Sequence, residues 1–138
     1  MSRKTAREMV LKTAFQLSFE ANPEKIPLED LLEMELEEGN LVQLKEPDKE
    51  YVNEIIDGIQ REKEYLDEQI NAHLVNWRMD RLNNLDAAVL RIAAYEILFH
   101  KETPRAVVIN ESLNLIAKFG DAGSTKYINA VLDKIGHE

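Results

Sequence analysis

The chain has 138 residues, no cysteine, 31% charged residues and a formal charge of −9 at pH 7. That length suits one domain or two small subdomains sharing a core, and the missing cysteines exclude a disulfide framework and any thiolate metal site. Abundant Ala, Leu, Glu and Lys beside only five Gly and four Pro favour helices over a turn-rich β-sandwich.

The first helix is predicted to open at Thr5, because Thr5-x-x-Glu8 has the capping-box pattern, with Ser2 as an alternative cap. Leu11, Ala14, Phe15, Leu17, Ser18 and Ala21 then give a wide apolar face at three- and four-residue spacing. Arg3, Lys4, Arg7 and Lys12 make this end basic, although residues 20–68 carry seventeen acids against five bases. Cations at a helix start are poorly placed unless an anion meets them. Asn22-Pro23 ends the helix; Leu28, Leu31, Leu32 and Leu36 form the face of a short second one, closed by Gly39-Asn40. After a loop over 41–47, Asp48 is the predicted cap of a helix with the stripe Tyr51, Val52, Ile55, Ile56 and Ile59. Beyond Arg61 the pattern continues through Tyr65, Leu66, Ile70, Leu74 and Trp77, with no position fixed for a kink, and Gly58 inside the helix predicts close approach by a neighbour.

The stretch Asn83 to His100 is apolar around nearly its whole circumference, which predicts a central helix buried on nearly every side. Asn83 or Asn84 serves as its N-cap, with Asp86 in the first turn, and Thr103-Pro104 stops it. Thr103 is the expected cap of the next helix, with Pro104 at its first position, a buried face of Ala106, Ile109, Leu113, Ile116 and Ala117, and Gly120 at its end. Gly123-Ser124 starts the last helix, in which Ile128, Val131, Leu132 and Ile135 repeat at i, i+3, i+4 and i+7 before Gly136. No strand alternation occurs, so the predicted fold class is all-α with six or seven helices.

Catalytic constellations are missing from this pattern. His73, His100 and His137 stand singly without a ligand-spaced partner, the serines have no nucleophile-elbow glycines, and the glycines form neither a phosphate loop nor a dinucleotide turn. No enzyme, metal or cofactor is therefore expected, and the acids of 29–68 read as solvated faces. The N-terminus has no apolar signal core and no run approaches the roughly 20 apolar residues of a membrane span, which predicts a cytoplasmic protein without membrane contact. Binding is the better-supported class. Arg3, Lys4 and Arg7 read equally as a solubilising terminus or as an arm for phosphates and single-stranded RNA bases, and Lys126-Tyr127 places a cation beside a ring at the start of the last helix, where Tyr127 reads equally as a core-edge residue. Asn110, Glu111 and Asn129 interrupt apolar faces and read as buried polar residues satisfied internally.

The run Leu85-Asp86-Ala-Ala-Val-Leu-Arg-Ile-Ala-Ala-Tyr-Glu-Ile, Pro104 with Val108-Ile109-Asn110-Glu111-Ser112, Ala117-Lys118-Phe119-Gly120, and Lys126-Tyr127-Ile128-Asn129-Ala130-Val131-Leu132-Asp133 closely resemble the NusB transcription antitermination factor family. Arg3-Lys4-x-Ala6-Arg7-Glu8 with Ala14-Phe15-Gln16 fits the same pattern. The resemblance implies two three-helix bundles sharing a core, here over 1–80 and 81–138 of a single domain. It implies binding of the boxA element of nascent ribosomal RNA leader transcripts together with the small-subunit ribosomal protein that acts as NusE, and through that complex with other Nus factors and RNA polymerase. By the same carry-over Arg3, Lys4, Arg7, Lys126 and Tyr127 would meet RNA, while Phe15 and Asp86 would face the ribosomal protein. Thr5 stands where members often have another arginine, Tyr127 where phenylalanine is common, Ala130 in place of a frequent glycine and Gly123 where an acid can occur. The competing readings are a helical protein-interaction domain with no nucleic-acid role, a carboxylate hydrolase, and a module like those fused to RNA cytosine methyltransferases, the last disfavoured by the missing cofactor-binding glycine loop.

Overall fold

The computed structural model describes residues 3–17, 46–75 and 79–136. These form six α-helices and no strand: α1 (Arg3–Leu17), α2 (Glu46–Arg61), α3 (Lys63–Asn71), α4 (Asn84–Phe99), α5 (Arg105–Phe119) and α6 (Thr125–Lys134). Short 3₁₀ turns at Met79–Arg81 and Ala122–Ser124 lead into α4 and α6. The expected helix of Leu28 to Leu36, the Ser2 cap, Trp77 and His137 lie outside the described residues. Chain contacts group into two compact units, Met1–Asp57 and Gly58–Glu138, so the division falls inside α2.

In the first unit α1 is already helical at Arg3, two residues before Thr5, so Thr5 is an interior residue and not the predicted cap. Its buried face is Ala6, Met9, Val10 and Leu11, with Ala14 and Phe15 half-buried further on. Thr13 joins this face because its hydroxyl donates to the Met9 carbonyl at 2.9 Å, which removes the cost of an unmet buried hydroxyl. Tyr51, Val52, Ile55 and Ile56 of α2 are buried as their spacing predicts. Helix α2 starts at Glu46, so Asp48 lies within the first turn and is not the residue preceding it.

The second unit is built on α4, against which α3, α5 and α6 all pack. Every residue of α4 from Asp86 to Ile97 is buried except Arg91, as a helix apolar on all sides demands. Arg91 reaches Asp67 of α3 with a two-point ion pair at 2.7 and 3.0 Å. The break between α2 and α3, which the spacing does not locate, sits at Glu62. There the helical hydrogen bonds continue, from the Glu62 amide to Gly58 and from the Leu66 amide to Glu62, both at 2.9 Å, while the Glu62 backbone leaves the helical region. Gly58 is required by a close approach: a Cβ there would lie 2.2 Å from the Tyr95 ring. Helix α3 stops at Asn71, short of the predicted Leu74, and the Asn71 side chain instead accepts from the Met79 amide at 2.8 Å.

Pro104, not Thr103, precedes the first helical residue of α5, and its carbonyl accepts from Val107 and Val108. The buried face of α5 is Val108, Ser112, Leu115 and Ile116, rotated from the predicted one; Ala106 and Ala117 are exposed. Ser112 can line that face because its hydroxyl donates to Val108 at 2.7 Å within its own helix. Asn110 and Asn129 are exposed and Glu111 is half-buried, which corrects the expectation that they are buried polar groups. Ile128, Val131, Leu132 and Ile135 are all buried, and Gly136 follows α6 with a φ of 81°, the left-handed geometry glycine adopts after a helix end. Arg105 at the start of α5 donates through Nη1 to the carbonyls of Leu132, at 2.9 Å, and Ile135, satisfying groups that the end of α6 leaves open.

Candidate nucleic-acid interface

In the second unit the starts of α4 and α6 share one carboxylate. Asn83 caps α4, its Oδ1 accepting from the Asp86 amide at 2.8 Å, and its Nδ2 donates to Asp86 Oδ2 at 3.1 Å. Ser124, at the end of the turn that enters α6, donates its hydroxyl to the same Oδ2 at 2.9 Å. Tyr127, three residues further on, donates its hydroxyl to Oδ2 as well. The entry turn is itself held by Asp121, whose Oδ1 accepts from the Gly123 amide at 2.8 Å, and by the Thr125 hydroxyl, which donates to Ala122 at 2.8 Å.

Asp86 is thus an internal hub and only 2% exposed, where an exposed first turn of α4 was expected. Oδ2 carries three donors, while Oδ1 is buried and has no hydrogen-bond partner. A buried acceptor left unmet costs about 1–3 kcal/mol, and more for a charged group. Burial of Tyr127 first, and then its bond to the Asp86 carboxylate, hold its hydroxyl well above the ordinary tyrosine range, so it remains a donor across physiological pH. A cavity of about 370 Å³ lies beside this cluster, lined by Arg81, Leu82, Asn83, Asp86 and Tyr127. Arg81 and Asn83 are exposed, Leu82 and Tyr127 half-buried, and Lys126 is exposed beside Tyr127 on α6.

The remaining site candidates lie in the first unit. Lys4 is exposed and Phe15 half-buried; Arg3 begins α1, and its side chain lies outside the described set. Arg7 is 7% exposed, and its guanidinium sits 5.7 Å from the centroid of the Tyr51 ring. Arg7 is therefore less accessible than its place near the start of the chain suggests, and an aromatic face lies beside its charge. Arg81 and Ser124 were missed by sequence reasoning. Ser124 could have been found as a hydroxyl immediately before the last helix; Arg81 has no local signal, because only the fold brings it beside Tyr127. Among the described residues no group of three His, Asp or Glu side chains is arranged to hold a metal, and no helix is long and apolar enough to cross a membrane.

Among the described residues, six helices without a strand, with a cation and an aromatic ring beside one cavity, define a small all-α protein. The chain belongs to the NusB family, whose model matches residues 4–137. It is 36% identical over 135 residues to the transcription antitermination protein NusB of Bacillus subtilis (strain 168), covering 98% of this chain and 95% of that one. Among solved structures it is similar to T. maritima NusB, with a TM-score of 0.79 and 33% identity over 98% of this chain and 90% of that one. It is also similar to a chain from a crystal structure of the antitermination factors NusB and NusE in complex with double-stranded RNA, with a TM-score of 0.77 and 28% identity over 96% of this chain and 94% of that one.

Proposed function

We propose that this protein is a non-enzymatic RNA-binding antitermination factor that binds the boxA element of nascent ribosomal RNA leader transcripts. It does so together with the small-subunit ribosomal protein that acts as NusE, and the assembly engages other Nus factors and RNA polymerase in the cytoplasm. The observation that carries this reading is the start of α6, where exposed Lys126 adjoins a Tyr127 ring fixed by its bond to buried Asp86. A cation beside a ring held in one orientation suits a phosphate and its base, because stacking onto a preset surface loses little side-chain freedom.

Mechanism follows from charge. Lys126, with Lys4 and Arg3 at the other end of the chain, supplies salt-dependent attraction for phosphate. Glu50, Glu54, Asp57, Glu64 and Glu68 are exposed on α2 and α3 and suit a basic ribosomal protein, speeding its encounter more than tightening the final complex. Phe15, half-buried on α1, is the apolar contact proposed for that partner. Support comes also from the solved NusB–NusE–RNA complex to which the chain is similar.

The test is a titration of boxA RNA and of a scrambled RNA of equal length, with and without the ribosomal protein, across salt. Tighter binding of boxA in the presence of the ribosomal protein is expected. Equal affinity for both RNAs in every mixture would overturn the reading and leave a protein-interaction domain.

A further inference from the structure

The cavity beside Asp86 is more selective than a stacking platform needs to be. Its wall combines a half-buried aromatic ring, Tyr127, a half-buried aliphatic side chain, Leu82, an exposed guanidinium, Arg81, and a carboxylate that is 2% exposed. One oxygen of that carboxylate is saturated by Asn83, Ser124 and Tyr127, and the other has no partner. Internal bonds therefore leave one oxygen of this carboxylate without a donor. At about 370 Å³ the cavity falls within the range of small-ligand pockets, roughly 300–1,000 Å³.

We propose that this cavity is a base-reading subsite that takes one unstacked guanine of the bound RNA, with Asp86 Oδ1 accepting from its Watson–Crick edge; the proposal rests on the RNA-binding reading above. An unmet carboxylate oxygen selects a ligand edge that presents donors. Guanine places its N1–H and its N2 amino group side by side. Uracil presents one N–H flanked by two carbonyl oxygens that would face the carboxylate, and adenine and cytosine each pair an amino group with a bare ring nitrogen. Tyr127 offers the ring on which the base stacks, and Arg81 and Lys126 are cations within reach of its phosphates. The Arg81 guanidinium in the same wall disfavours a lysine or arginine of a protein partner as the occupant. Arg81, exposed in the same wall, is the side chain that can swing and admit a donor to the enclosed oxygen, while Asn83 stays in place as the cap of α4.

The experiment measures affinity of the protein with the ribosomal protein for boxA RNA in which each guanine is replaced in turn by inosine, which lacks only the N2 amino group. At one position the wild-type protein should lose about tenfold, the worth of one hydrogen bond to a charged acceptor. In Asp86→Asn the three donors hold the amide oxygen in the Oδ2 place and turn the amino group toward the base, so the guanine and inosine RNAs should bind within about twofold of each other. Tyr127→Phe keeps the ring and the Oδ1 acceptor and should retain the preference. Circular dichroism establishes that both variants are folded, and the inosine series on the wild-type protein needs no variant at all. Preference for boxA over scrambled RNA with no sensitive guanine would overturn the subsite and leave the function standing. No preference for boxA would overturn both. An Asp86→Asn protein that keeps the inosine penalty but binds the ribosomal protein less tightly would assign the oxygen to the protein interface, against the proposal.

Discussion

Replacing Tyr127 with phenylalanine removes one oxygen and keeps the ring. The lost bond runs from the Tyr127 hydroxyl to Asp86 Oδ2, and a hydrogen bond to a charged acceptor contributes about 1.5–3 kcal/mol. Because Asn83 and Ser124 still donate to that oxygen, the loss should fall at the lower end, about 1.5 kcal/mol. For a chain of this length that lowers the melting temperature by about 5 °C. The difference has a pH signature. Burial and the neighbouring carboxylate raise the folded-state pKa above the ordinary value of 10.0, so the stabilisation is fully present below pH 10. Above it the unfolded chain releases the proton while the folded chain keeps it, and the wild-type advantage shrinks by about 1.4 kcal/mol per pH unit, vanishing near about pH 11. Urea unfolding of both proteins at pH 7, 9 and 10.5, followed by circular dichroism, measures this directly. Equal stability at pH 7, or a gap that stays constant to pH 10.5, would refute the assigned hydrogen bond.

Three other substitutions test the packing that positions the site. Gly58→Ala gains up to about 1 kcal/mol of helix propensity but drives a methyl group against Tyr95, which is 4% exposed and stacked on Phe99 at 5.2 Å. Net destabilisation of about 1–3 kcal/mol is expected by urea denaturation, and a stabilised variant would show that Tyr95 yields freely. Arg105→Ala removes two hydrogen bonds from the end of α6 and should cost about 2 kcal/mol; an unchanged urea midpoint would contradict that role. Arg7→Ala removes a buried guanidinium from the Tyr51 ring and should lower stability by about 1–2 kcal/mol in a thermal melt, whereas an unchanged melt with weakened RNA binding would return Arg7 to the RNA surface.

Burial was legible in the sequence along three of the helices. The stripes of Tyr51 to Ile59 and Ile128 to Ile135 and the all-round apolar α4 follow from the period of a helix. The face of α5 was misread because Ser112 looks polar in the sequence and is apolar in effect once its hydroxyl turns back onto its own helix. Helix starts at Thr5, Asp48 and Thr103 were each misplaced by one to three residues, since packing and not the nearest capping side chain sets the first helical residue. For the site, Lys126 and Tyr127 were visible as a cation beside a ring. That the Tyr127 hydroxyl meets Asp86, 41 residues away, depends on how α4 and α6 pack and leaves no local trace. Arg7 shows the converse limit, because a basic residue near a chain end reads as exposed unless the aromatic that covers it is known.

The central claim is that RNA meets the start of α6. Photocrosslinking of boxA RNA carrying 4-thiouridine at successive positions, in complex with this protein and the ribosomal protein, followed by mass spectrometry of the linked peptides, tests it most directly. Crosslinks are expected in the peptide containing Lys126 and Tyr127, lost in competition with unmodified boxA RNA but not with scrambled RNA. Crosslinks confined to the acidic segment 46–71, or equal competition by both RNAs, would contradict it.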